Sequence, residues 1–173
     1  LFIGASILVS VSFAPILLSA TPVPAVQVAQ PMRLRDLFAS SPLGTVGIFL
    51  LGSVYATQSG MAAVYGTRIG LAADQIAGFV ALLFGGALAL QYPIGWLSDR
   101  MDRRWLIFAA ATVGATACGL GSLGADRPLL LFASAFFAGG VTTPLYALFL
   151  AYTNDYLSAA EMPSASGGLV FTF

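Results

Sequence analysis

The chain has 173 residues, of which 58% are hydrophobic and 8% charged, and its formal net charge is zero. A water-soluble domain carries roughly 25% charged residues, so seven basic and seven acidic side chains cannot cover the surface of a soluble fold this long, and most of the solvent must be lipid. The balanced charge removes the electrostatic case for nucleic acid binding, and one cysteine excludes an intrachain disulfide or a thiolate metal cluster.

Charge placement divides the chain. No charged residue occurs in the intervals 1–32, 37–67, 75–98, 105–125 and 128–154. Each interval is as long as the ~20 residues a helix needs to cross a bilayer core of about 30 Å. A charge at mid-bilayer costs about 2.5–3.5 kcal/mol on insertion scales. Transmembrane β-strands would be about ten residues long with alternating polarity, a pattern this sequence lacks. The expected fold is all-α, a polytopic transmembrane helical bundle.

The chain opens at Leu1 inside an apolar run, without the basic leader of a signal peptide. It closes at Phe173 shortly after a new apolar run begins, so a piece of a longer protein is expected. The first helix is predicted over residues 1–20 and ends at Thr21-Pro22-Val23-Pro24. The linker that follows holds Arg33-Leu34-Arg35-Asp36-Leu37-Phe38, a short amphipathic piece suited to the membrane interface. Ser41-Pro42 reads as a helix start, a capping hydroxyl followed by proline at the first helical position.

Further helices are predicted over 43–66, 75–97, 105–124 and 129–152, the third loosened near Pro93 and the fifth carrying Gly139, Gly140 and Pro144. Asp126-Arg127-Pro128 reads as a tight turn. A polar connector spans 154–163, and a sixth helix starts near Ser164. Gly114, Ala117, Gly121 and Gly124 give the 105–124 helix a small-residue face, which favours close helix packing in lipid. Cys118, in the same helix, reads as a small packing residue.

Arg33, Arg35, Arg100, Arg103 and Arg104 fall on one side of this topology, and Arg68 and Arg127 on the other. The richer side is expected to be cytoplasmic. The connector 91–104 concentrates five charges on that side. Asp99 follows a helix C-terminus, where the helix dipole disfavours an acid. Arg100, Arg103, Arg104 or the N-terminus of another helix would have to compensate it. Asp102 is better placed, as the cap of the helix beginning at Arg103. Gly95 lies one turn before Asp99 and leaves room for a neighbour. The alternative is that these charges are ordinary membrane-flanking anchors.

The run Gly95-Trp96-Leu97-Ser98-Asp99-Arg100-Met101-Asp102-Arg103-Arg104 resembles the loop signature of the major facilitator superfamily, Gly-x-Leu-(Ala/Ser)-Asp-(Arg/Lys)-x-Gly-(Arg/Lys)-(Arg/Lys). The match covers Gly95, Leu97, Ser98, Asp99, Arg100, Arg103 and Arg104, and Asp102 departs from the usual glycine. Gln91-Tyr92-Pro93-Ile94-Gly95 and Asn154-Asp155-Tyr156-Leu157 also resemble a bacterial subgroup of transporters with no assigned substrate. The resemblance implies a carrier of twelve helices, two halves rocking about a site near mid-membrane. This chain would then supply residues 1–21 as the end of the N-terminal half (helix six), 22–42 as the central cytoplasmic linker, and 43–173 as the C-terminal half into helix eleven. It also implies that Asp99 and Arg103 latch the cytoplasmic helix ends, with Gly95 permitting contact and part of the partner surface in the N-terminal half. The expected location is a bacterial inner (plasma) membrane.

A carrier needs polar groups in its cavity. Tyr55, Gln58, Ala62 and Tyr65 fall on one helix face. Thr142, Thr143 and Tyr146 cluster near Pro144, and Gln91 lies near the cytoplasmic end of its helix. They suit hydrogen bonding to a neutral or weakly polar small molecule, or alternatively hydrogen bonds between helices, each worth about 0.6 kcal/mol. No acid or base falls deep within a complete predicted helix, so within this chain no fixed charge for an ionic substrate and no proton-coupling carboxylate is expected, and any coupling residue would lie in the rest of the protein or the final helices.

No cofactor and no metal site is expected. An intramembrane serine or metallo-enzyme would need histidine, which is absent, and an aspartyl type needs acids within the membrane, whereas these acids lie in connectors. Two alternatives stay open: a non-transporting sensor or scaffold on the same fold, and an intramembrane enzyme whose catalytic group lies outside this chain. The expected partners are the lipid bilayer, the N-terminal half of the same protein and a small-molecule substrate.

Overall fold

The computed structural model describes residues 2–19, 32–124 and 127–173. All secondary structure among the described residues is helical: α1 (Phe2–Ser12), α2 (Ala14–Leu17), α3 (Leu34–Ser40), α4 (Pro42–Arg68), α5 (Ala73–Ser98), α6 (Arg103–Leu123), α7 (Pro128–Asn154) and α8 (Met162–Thr172). The four from α4 to α7 are long and apolar enough to cross a membrane. Their bounds lie within two residues of those predicted, because charges, caps and prolines end them.

The first predicted helix does not form as one span. It breaks into α1 and α2 at Phe13, whose amide donates to Ser10 O at 3.3 Å. Pro15 has no N–H to give the Val11 carbonyl, so one rung of the ladder is missing at this point. Four spans therefore stand among the described residues where five charge-free intervals were counted. Residues 22–31 of the predicted 22–42 linker, and Asp126 of the predicted turn, lie outside the described residues.

At the start of α4, Ser41 Oγ accepts from Gly44 N at 3.3 Å and Pro42 takes the first position, as expected. Ser41 is 1% exposed and also accepts from Thr153 Oγ1 at 3.3 Å, which ties α4 to the end of α7. The helices continue through Pro93 in α5 and Pro144 in α7.

α7 is the central helix and carries more buried residues than any other. It packs on α5, α6 and α4. Glycine sets these approaches. A Cβ on Gly139 would lie 2.6 Å from Leu83 Cα, and one on Gly86 would lie 3.1 Å from Gly140 N. The α5 and α7 backbones therefore nearly touch, which favours dispersion where lipid supplies no hydrophobic drive. The small-residue face of α6 packs on α7 as predicted, with Gly114 against Val141, Gly121 against Ser134 and Gly124 against Leu130.

One apolar cluster, built on Ile48, Leu106, Leu145 and Leu169, fills the arginine-rich end, and another around Phe79, Leu83, Leu131 and Ala135 fills the opposite end. Large apolar side chains on the outward faces, such as Leu88, Tyr92, Trp105 and Leu129, are exposed. An aqueous surface would not tolerate so continuous an apolar cover, but lipid requires it.

Candidate functional site

Two places bring the sequence-predicted residues together. The first is the arginine-rich end. Asp102 caps α6, its Oδ1 accepting from Arg104 N at 2.9 Å, as its position before Arg103 requires. The cap turns the chain sharply after α5 and fixes where the two arginines at the head of α6 point.

Asp99 and Asp155 occupy equivalent positions, each the C-cap of its helix, α5 and α7. An acid there meets the negative end of the helix dipole. The structure compensates one of them. Arg103 forms an ion pair with Asp155, a single guanidinium nitrogen sitting between both carboxylate oxygens, while its Nε donates to Ser98 Oγ at 3.3 Å. Arg104 donates to the Tyr156 hydroxyl and places its guanidinium 5.6 Å from the Tyr152 ring centre. The two phenol oxygens lie 3.1 Å apart. Hydrogen bonding to Tyr152, and then to Arg104, lowers the Tyr156 phenol below the ordinary tyrosine range. The α5–α6 and α7–α8 connectors are thus tied by two side-chain links.

Arg100 does not reach Asp99 either. Its guanidinium donates to the Trp96 carbonyl at 3.0 Å and lies 3.9 Å over the Trp96 ring, neutralising the α5 C-terminus through backbone and aromatic face. Among the described residues the Asp99 carboxylate has no hydrogen-bond or ion-pair partner, and a Cβ on Gly95 would meet nothing within 4 Å. Asp99 and Gly95 therefore present an open face, and Arg103 works with a different acid.

The second place is the opposite half of the bundle. A cavity of about 520 Å³ lies among α4, α5, α6 and α7, lined by Gln58, Tyr65, Arg68, Phe79, Cys118 and Ser134 among others. Its volume is in the range of small-molecule sites, and its wall is overwhelmingly apolar. A smaller recess of about 20 Å³ collects Tyr55, Gln58, Thr142 and Thr143. Gln58 lines both, is half-buried, and has no hydrogen-bond partner for its amide among the described residues.

The other predicted cavity residues divide. Thr142 is buried and its hydroxyl donates to Ala138 O at 2.8 Å, which satisfies it within α7. Tyr55 and Tyr146 flank Phe173, with ring centres 5.4 and 4.9 Å from it. Tyr65 meets Phe79 at 6.2 Å. Gln91 is exposed on α5 and lines neither recess.

Three residues were missed or misread from sequence. Cys118 is exposed on the cavity wall instead of packed. It sits about 100° round α6 from Ala117, off the stripe that meets α7. Arg68 brings a cation to the cavity, at the last residue of α4, two residues beyond the helix end predicted at 66. Asp155 escaped because its partner is 52 residues away, although its place after a helix C-terminus matches that of Asp99. Among the described residues no group of acids and cysteine could hold a metal ion.

Residues 43–173 match the sequence profile of the Major Facilitator Superfamily. The chain belongs to that superfamily. Within it, the chain is 25% identical over 118 residues to a protein of Bacillus subtilis (strain 168) named as the uncharacterized MFS-type transporter YfkF. That match covers 68% of this chain and 30% of the relative, so the chain spans well under two thirds of the relative's length. No solved structure matches. The family assignment, with four long apolar helices, makes this an integral, multi-pass membrane protein.

Proposed function

We propose that the chain forms part of a carrier that moves a small molecule across a bacterial plasma membrane by alternating access, facilitative or ion-coupled, and that it has no enzymatic role. The observation that carries this reading is the half-buried, unpartnered Gln58 amide on α4, shared by the two recesses. The amide is only partly buried, and an amide left unpaired on a cavity wall is open to a ligand. Family membership and the cavity among α4, α5, α6 and α7 support the same assignment. The substrate that fits is neutral or weakly polar with apolar surface. Thr143 and Tyr55 serve as secondary contacts, and Arg68 admits a polar end.

The gate in this proposal is the arginine-rich end. The Arg103–Asp155 and Arg104–Tyr156 links hold two helix connectors together in this state, and Asp99 with Gly95 forms the face against which another helix end closes. The element is bistable, and a few charge-assisted contacts bias it.

A thermal-shift panel of sugars, amino acids, organic acids and hydrophobic drugs on the detergent-purified full-length carrier tests the site, since a ligand selective for the folded state raises apparent stability. Gln58→Ala is expected to lower the affinity of the compound found by about tenfold, the ~1.4 kcal/mol of one buried hydrogen bond. Undiminished affinity removes Gln58 from the site. Asp99→Asn is expected to slow flux into proteoliposomes several-fold while leaving the unfolding temperature unchanged or slightly raised, because the carboxylate has no partner to lose within the described chain and its charge opposes the helix dipole. Wild-type flux in that variant removes Asp99 from the gate.

A further inference from the structure

We propose that α3 is a docking site for anionic phospholipid at the arginine-rich surface of the membrane, with Leu34 and Phe38 in the acyl boundary and Arg33 and Arg35 on the headgroups. A helix of seven residues is too short to hold itself together in water. α3 is held from inside. Leu37 is 1% exposed in the cluster at that end, its methyl 3.3 Å from where a Cβ on Gly168 would sit, and Met32 packs against the same cluster. One face is therefore pinned to α4 and α8.

The pinned face leaves Leu34 and Phe38 at 45% and 50% exposure. They are four residues apart and share one side of the helix. Arg35 lies next to that side, three residues before Phe38, and Arg33 stands at the N-cap. Neither guanidinium has a hydrogen-bond or ion-pair partner among the described residues, whereas Arg100, Arg103 and Arg104 at the same end all do. Asp36 is the one acid on α3, and it falls about 200° round from both Leu34 and Phe38, away from the apolar side. Two apolar side chains flanked by two unpaired cations fit a bilayer surface that carries negative headgroups.

The test uses the full-length protein with Cys118 and every other native cysteine replaced by serine, an environment-sensitive fluorophore on Phe38→Cys, and Leu34→Cys as a second reporter. It is reconstituted in vesicles of phosphatidylcholine, or of equal parts phosphatidylcholine and phosphatidylglycerol. Lipids brominated near the headgroup and aqueous acrylamide report the two environments. An interfacial arginine strengthens association with an anionic leaflet about fivefold. The ratio of lipid to aqueous quenching should therefore rise several-fold in the mixed vesicles, and Arg33→Gln with Arg35→Gln should return it to the phosphatidylcholine value. Equal ratios in both vesicles would mean apolar burial without headgroup recognition and would overturn the proposal. A label shielded from both quenchers would mean that protein covers α3, and a label quenched only by acrylamide would mean that α3 faces water; either result also overturns it.

Discussion

Gly139→Ala is expected to lower the unfolding free energy by about 3 kcal/mol, at the upper end of overpacking costs. The new methyl would meet the Leu83 carbonyl and lie 2.6 Å from Leu83 Cα. These are backbone atoms of α5, so no rotamer change relieves the clash, and the two helices must separate along their most extensive contact. The matched control is Gly119→Ala on α6, where an added Cβ meets nothing within 4 Å. There the loss of glycine flexibility is favourable by about 0.5–1 kcal/mol, so stability should hold or rise slightly. Urea or SDS titration of the two purified variants checks both. Equal behaviour of the two would mean that α5 and α7 do not cross at Gly139.

Arg103→Ala is expected to change gating more than folding. The Arg103–Asp155 pair is partly exposed, at 28% and 50% for the two side chains. Solvent screening therefore limits its contribution to about 1 kcal/mol. That is small against overall stability but shifts a two-state equilibrium about fivefold. Flux should change by that factor, while the unfolding temperature moves little. The exchanged pair, Arg103→Asp with Asp155→Arg, should recover much of the flux, whereas either single change should not. Flux is the readout because a merely structural ion pair would leave it unmoved. If the exchanged pair transports no better than the single variants, the link does not set the equilibrium.

Much of this architecture was legible because lipid imposes a severe rule on sequence. Charges are excluded from the bilayer core, so Arg68, Asp99, Asp102 and Arg127 mark helix ends almost by themselves. Caps added detail. Ser41-Pro42 and Asp102 are local signals, since each acts within three residues on its own chain. The break at Phe13 was missed because hydropathy is blind to a lost backbone donor, although Pro15 signals it.

The candidate site was less legible. Gln58 and Tyr65 could be placed on one face by helical spacing. Spacing cannot say that Thr142 satisfies its own hydroxyl at Ala138 O, that Gln91 faces away, or that Cys118 and Arg68 line the same cavity. Those facts depend on how each helix is rotated against its neighbours, and that is set by glycine contacts between distant segments.

By itself, then, the sequence determined that this is a membrane protein of antiparallel apolar helices, with a charged connector of the superfamily pattern at the arginine-rich end. One-dimensional patterns of charge, caps and prolines suffice for that, because the bilayer and the helix ladder act locally. Only the tertiary structure decided which acid Arg103 holds, which helix lies at the centre, and which faces open on the cavity. Asp99 and Asp155 are equivalent as sequence, each an acid after an apolar helix. They differ because α6 carries Arg103 to the end of α7, at a distance in the chain that no local rule spans.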